Sequence, residues 1–250
     1  MLRHRLITVL TFVHGVLHRT KNFVPDYRYT QNFVDAWSVD EIVLLDVTRG
    51  VSGVQESFLA VVRRFAEKSF VPITVGGGIR SLDDVTMYMN NGADKVSVNS
   101  ATAETPELIN DIARRYGSQC VVHSIDSRRT SEGASEVLVN CGTNAIGKSA
   151  AAWAMEGTER GAGEILLTSI DRDGSLEGYD LEMCAEVCDA VRVPVLICGG
   201  AGAWKHFVDG IKEGGASAVC TTNIYHFSEN SIRSAKTYME KAGVLVRPAA

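Results

Sequence analysis

Two short glycine runs, Gly76-Gly77-Gly78 and Gly199-Gly200-Ala201-Gly202, have the types and spacing to hold an anion. Each follows an apolar, β-branched run and precedes a helical pattern, so each marks a turn from strand into helix. Glycine at such a turn lets backbone N–H groups close on an anion at a helix N-terminus, and two related runs point to two phosphate sites. A tight turn also needs glycine for its own geometry, and that reading stands beside the functional one. With neighbouring hydrogen-bonding residues, the candidate phosphate-binding set is Gly77, Gly78, Asn99 and Ser100 in the first half. In the second half it is Asp173, Gly174, Gly199, Gly200, Thr222 and Asn223.

Other apolar runs end in groups that could move protons: Asp46, Asp126, Thr168, Ser169, Asp171 and Asp173. A carboxylate there can act as acid or base, or cap the following helix. In the run Asp171-Arg172-Asp173-Gly174 a turn-forming role stands level with a chemical one. Asp126 has no obvious capping partner and is the candidate catalytic residue. At the opposite ends of these runs stand Arg5, Glu41, Lys95 and Glu164, two cations and two acids. Each alone reads as a solvated strand start, where an ion pair contributes about 0–1 kcal/mol.

The elements that must position these groups alternate along the chain. Strands are expected over residues 6–11, 41–47, 72–75, 95–99, 120–126, 164–170, 194–198 and 216–222. Helices are expected over 52–69, 82–91, 106–116, 149–160, 180–190, 204–213 and 231–241. The first crossover is irregular, with only 31–38 reading as helical. Parallel strands joined by crossover helices follow from this order. DEIVLLDV from Asp40 resembles GEILLTSI from Gly163, VPITVGGGI from Val71 resembles VPVLICGGA from Val193, and GADKVSVNS from Gly92 resembles GASAVCTTN from Gly215. These three ordered matches share one separation to within a residue, so the chain is two copies of a four-strand half. Two such halves close into a (β/α)8 TIM barrel spanning residues 1–250 as a single domain, which leaves no edge strand. In a barrel the glycine turns and carboxylates gather at the C-terminal mouth. The four charges gather on the floor, where as a set they suggest a gated opening.

Length and composition agree with one large core. The 250 residues are 45% hydrophobic and 22% charged, which places the chain among soluble globular proteins. A net charge of −5 argues against a nucleic-acid partner. The opening MLRHRLITVLTFVHG is too short for a membrane span and lacks a small-residue cleavage site, so no membrane partner and a cytoplasmic location are expected. The six cysteines, Cys120, Cys141, Cys184, Cys188, Cys198 and Cys220, form no CxxC pair and read as small buried hydrophobes under reducing conditions. No motif calls for a metal or an organic cofactor.

DEIVLLDVT, TVGGGIRS, GADKVSVNS, GSQCVVHSID, GAGEILLTSIDRDG, GYDLEM, CGGAG and the His226-Phe227 pair together resemble the cyclase subunit (HisF) of imidazole glycerol phosphate synthase, in order and over nearly the whole chain. The resemblance implies a barrel with internal two-fold symmetry. It implies a HisH-like glutaminase partner docked on the N-terminal face, whose ammonia crosses the floor through a gate at Arg5, Glu41, Lys95 and Glu164. In the family that ammonia reacts at the mouth with a phosphorylated ribotide to give imidazole glycerol phosphate. The family's two catalytic aspartates map onto Asp126 and Thr11, and a threonine hydroxyl does not titrate near neutral pH. Losing such a partner lowers rates by on the order of 10²–10⁴. The family's basic first loop here reads HGVLHRTKNFVPDYRYTQN, with Arg19 where lysine is usual and an aromatic group at Phe23, Tyr27, Tyr29 and Phe33. Cys198 and Asn223 fall where serines are common.

Two functional readings follow. In one, the chain resembles the HisF-like proteins of surface-polysaccharide biosynthesis, passing glutaminase-derived ammonia to a sugar amidotransferase that builds an acetamidino group. In the other it remains a cyclase of histidine biosynthesis, with Asp126 and a second group sharing the proton transfers.

Overall fold

A computed structural model describes residues 3–28, 39–51, 53–221 and 232–248. The barrel strands are β1 (Arg5–Val13), β4 (Glu41–Asp46), β5 (Ile73–Gly76), β6 (Lys95–Val98), β7 (Val121–Arg129), β10 (Glu164–Ser169), β11 (Val195–Cys198) and β12 (Ala218–Thr221). They pair in parallel in that order, and β12 returns to β1 with Arg5 beside Ala218, so the eight-stranded sheet is closed. Between them run α1 (Glu56–Ala66), α2 (Leu82–Asn90), α3 (Ser100–Glu104), α4 (Glu107–Tyr116), α5 (Ala150–Glu159), α6 (Leu181–Ala190), α7 (Trp204–Lys212) and α8 (Ile232–Lys241). The fold is the (β/α)8 TIM barrel expected.

Residue alternation along the strands divides the apolar residues into two clusters. A large one between sheet and helices holds Leu6, Leu10, Ile42, Leu44, Ile165 and Leu167 among many others. A small one inside the barrel holds Ile7, Val9, Val43, Val122, Leu166, Leu196, Ala218 and Cys220.

Several expected boundaries move for local reasons. The helix expected from residue 52 starts at Glu56 after an extended Gln55, while Ser81, Ser149 and Asp180 stand just ahead of α2, α5 and α6 and cap them through their side chains. The short helix α3 was not anticipated. The first crossover is corrected more substantially. β1 runs on into an antiparallel hairpin, β2 (Val16–Lys21) and β3 (Val24–Arg28), where irregular chain was expected. The expected helix at 31–38 lies outside the described residues. β7 likewise extends to Arg129 and pairs with β8 (Ser135–Val139), which pairs with β9 (Asn144–Ala145). The first strand of each half therefore carries its own antiparallel excursion above the mouth.

The cysteine expectation also needs correction. All six are free thiols, but only Cys184 and Cys220 are fully buried.

At the floor, Asp40 accepts the Leu6 N–H at 2.7 Å and the Lys236 ammonium at 2.7 Å, both groups being buried. This pair ties α8 to the start of β1. On the outer face of β7, His123 is wholly buried against Trp153. The Thr102 hydroxyl donates to Asn99 O at 2.6 Å, so His123 Nε2 carries the proton for its long 3.4 Å contact with that hydroxyl. His123 Nδ1 is left without a partner, and burial pushes the ring down to a pKa of about 4. A Cβ on Gly157 of α5 would collide with that nitrogen.

Gly157→Ala is therefore expected to destabilise the fold by about 1–3 kcal/mol through overpacking. Denaturant unfolding of Gly157→Ala, His123→Ala and the double variant checks this, with the alanine costing little once the imidazole is gone.

Candidate functional site

The barrel floor is a closed ring of four charges on four strands. Arg5 Nη1 lies 2.8 Å from Glu41 Oε2 and 2.8 Å from Glu164 Oε1. Lys95 Nζ lies 3.0 Å from Glu41 Oε1 and 2.8 Å from Glu164 Oε2. Each cation thus bridges both acids, and the Thr74 hydroxyl donates to Glu41 Oε1 at 2.8 Å. Arg5, Glu41 and Glu164 are buried, so these are not the solvated strand starts that each would be alone. Burial opposes the Arg5 charge, yet Glu164 and Glu41 together hold its pKa above the ordinary arginine value. In low dielectric such pairing offsets the cost of removing four charges from water.

Above the ring the lumen is two-sided. Ile7, Val9, Val43, Val122 and Leu166 line most of it. On the β5–β7 side, strand alternation turns Ser97 inward two residues above Lys95, and Ser124 inward two residues above Val122; both are buried.

At the mouth, Thr11 and Asp126 occupy the same station in the two halves. Thr11 pairs with Leu45 and Asp126 with Thr168, and Leu45 and Thr168 are themselves repeat-related. Their chemistry diverges. The Thr11 hydroxyl is committed to a 2.6 Å bond to the His18 carbonyl within the hairpin. Asp126 Oδ2 accepts from Asn99 Nδ2 at 2.6 Å. Burial lifts the Asp126 pKa to about 7, the Asn99 bond pulls it down, and the nearby Asp173 carboxylate raises it again. A carboxyl poised near neutrality suits acid–base work at cellular pH.

The glycine pairs repeat their packing as well as their sequence. A Cβ on Gly77 would crowd the Asp46 carbonyl, and one on Gly199 would lie 2.6 Å from the Ser169 carbonyl, the matching residue of the second half. Gly77, Gly78, Gly199 and Gly200 all have φ between +68° and +112°. These glycines are therefore demanded by backbone approach whether or not an anion binds.

The remaining candidates divide between the two halves of the mouth. In the first half, Asn99 is turned to Asp126, and Ser100 Oγ accepts the Asn140 N–H at 2.9 Å from the β8–β9 turn. In the second, Asp173, Gly174, Gly199 and Gly200 line one cavity with Cys198, Cys220 and Thr221. Thr222 and Asn223 lie outside the described residues, as do Tyr29 and Phe33 of the aromatic group.

The β2–β3 hairpin reaches across to this second cavity. Phe23 N–H donates to Asp173 Oδ2 at 3.0 Å and Asn22 N–H to the Asp173 carbonyl at 3.1 Å. Burial raises the Asp173 pKa, opposed by the Phe23 amide, the Thr20 hydroxyl and the Arg19 charge. Arg49 Nη2 donates to Phe23 O at 2.9 Å, bracing the hairpin from the first half. Arg49 escaped the sequence reading because nothing in the run TRGVSG distinguishes it from a solvated loop arginine. Among the described residues no group of three or more His, Cys, Asp or Glu could hold a metal ion, and no helix is long and apolar enough to cross a membrane.

The family model described as Histidine biosynthesis protein matches residues 8–231. The match takes in both halves, three of the four floor residues, and the Thr11 and Asp126 stations.

Two outcomes test the site. Asp126 has a folded pKa of about 7 against 3.8 unfolded, so its contribution to stability is complete below the unfolded value and is lost as pH rises through about 7. Asp126→Asn is expected to match the parent near pH 4 and exceed it above pH 7 by on the order of 4 kcal/mol, read from thermal melts across pH. Lys95→Met leaves two buried acids sharing one cation and is expected to cost about 3–5 kcal/mol in denaturant unfolding.

Proposed function

This chain belongs to the histidine biosynthesis protein family of HisA/HisF-type barrels, and from that premise we propose that it is a HisF-like subunit that receives ammonia at its floor and conducts it to its mouth. The observation that carries the proposal is the closed ring of Arg5, Glu41, Lys95 and Glu164 across the barrel axis. An enzyme using only its mouth has no need of a four-membered charged ring at the other end. A partly polar lumen above them offers hydrogen bonds to a small neutral amine. Breaking one contact of Lys95 would leave the other three sides of the ring paired, so a transient opening need not free a whole charge. Phe70, just ahead of β5, and Leu245, whose carbonyl accepts the His4 N–H at the start of β1, lie exposed beside the floor. Apolar residues in that position suit docking of a HisH-like glutaminase.

The mouth supports one reading of the acceptor. With Thr11 locked to the hairpin, the carboxylate pair of a histidine-pathway cyclase is incomplete. The chain then serves as an ammonia-channelling subunit for a sugar amidotransferase of acetamidino-sugar and surface-polysaccharide biosynthesis. One observation favours the second reading, a working cyclase: Asp126 remains poised near pH 7, with Asp173 close enough to perturb it.

One assay separates the two. Purified protein with saturating ammonium and the histidine-pathway ribotide is expected to form no imidazole glycerol phosphate, and Thr11→Asp is expected to restore part of the activity. Ordinary cyclase turnover by the unmodified chain would sink the channelling reading and make Asp173 the partner to test.

A further inference from the structure

Two of the six cysteines meet inside the barrel. Cys198 ends β11, and the parallel register that pairs Leu196 with Ala218 places Cys220 of β12 beside it two residues on. Cys220 belongs to the inner apolar cluster and Cys198 packs against it, so both side chains face the lumen. Both line the cavity that also holds Asp173, Gly199 and Gly200. Cys220 is fully buried, whereas Cys198 is partly accessible. Neighbouring strands lie about 4.8 Å apart, and disulfide-bonded residues have Cα atoms about 4.4–6.8 Å apart. The spacing admits a bond without separating the strands.

We propose that Cys198 and Cys220 are a reversible oxidative modification site, forming an intramolecular disulfide that pins β11 to β12 beneath the second glycine pair. A hydroperoxide is the oxidant. The Cys198 thiolate attacks its outer oxygen, breaking the O–O bond and releasing an alcohol, or water from hydrogen peroxide, to leave a sulfenic acid. The Cys220 sulfur then displaces the sulfenic oxygen, which departs as water with the thiol proton, and the S–S bond forms. One peroxide is reduced and two thiols are oxidised. Burial holds the Cys220 thiol protonated, so this second step is the slow one. The bond itself is independent of the ammonia route. Its consequence rests on the anion reading of the cavity: two sulfurs drawn together under Gly199 and Gly200 reshape the floor on which an anion would sit. Cys184 and Cys188, with sulfurs 3.9 Å apart on α6, provide a second pair away from the lumen for comparison.

The experiment treats the full chain with hydrogen peroxide at neutral pH, alkylates it after denaturation and digests it with trypsin. Cleavage after Arg192, Lys205, Lys212 and Arg233 puts Cys198 and Cys220 on separate peptides and leaves Cys184 and Cys188 together on another. The expected product is the joined pair of peptides, lighter than their sum by two hydrogen atoms, separated again by dithiothreitol and absent from Cys198→Ser. Inorganic phosphate binding, measured by calorimetry, is expected to weaken at least about tenfold on oxidation and to recover on reduction. Cys198 driven on to sulfinic acid while Cys220 stays alkylatable would overturn the site. A joined pair with phosphate binding unchanged would overturn its effect on the cavity. Failure of the reduced protein to bind phosphate counts against the anion reading, and the joined peptides still decide the bond.

Discussion

Three buried charges and a partly buried lysine on four different strands are compatible only if each finds two partners, and that condition disciplines the rest of the barrel. Arg5, Glu41, Lys95 and Glu164 come from β1, β4, β6 and β10, which meet at one level only when the sheet is closed. The surrounding contacts serve the same level: Thr74 supports Glu41, and Asp40 with Lys236 secures the start of β1. In water such pairs would contribute little, whereas in the interior an orphaned member is costly. The ring therefore fixes strand register at the floor, and the layers above inherit it.

Above the floor, the two halves show what symmetry retained and what it released. Glycine against a preceding carbonyl occurs twice, at Gly77 with Asp46 and at Gly199 with Ser169. These are backbone requirements, and a side chain at either position would force the turn apart. Thr11 and Asp126 share a station but no longer a chemistry. Backbone packing tolerates no drift, while a mouth-facing side chain can change without cost to the fold.

The hairpin after β1 breaks the symmetry further. It leaves the first half, ties up the Thr11 hydroxyl at its base, and delivers the Phe23 amide to Asp173 in the second half. Asp126, bonded to Asn99, and Asp173, bonded to the Phe23 amide, thus each meet a group from the other half of the barrel. Their raised pKa values share one cause, the exclusion of water from a crowded mouth.

Strand order, the internal repeat, the closed barrel and the grouping of candidates at mouth and floor were all legible in the chain, because hydrophobic periodicity and turn glycines are local signals that repeat at a fixed separation. Motif order carried the resemblance, and the family match bears out its coarser part. Local signals do not say what a side chain meets across the barrel. Only the tertiary structure decided that Asn99 turns to Asp126, that Thr11 binds a carbonyl, that the first crossover is a hairpin reaching Asp173, and that Cys198 stands beside Cys220. Each joins residues far apart in sequence, where burial and register, rather than residue type, set the chemistry.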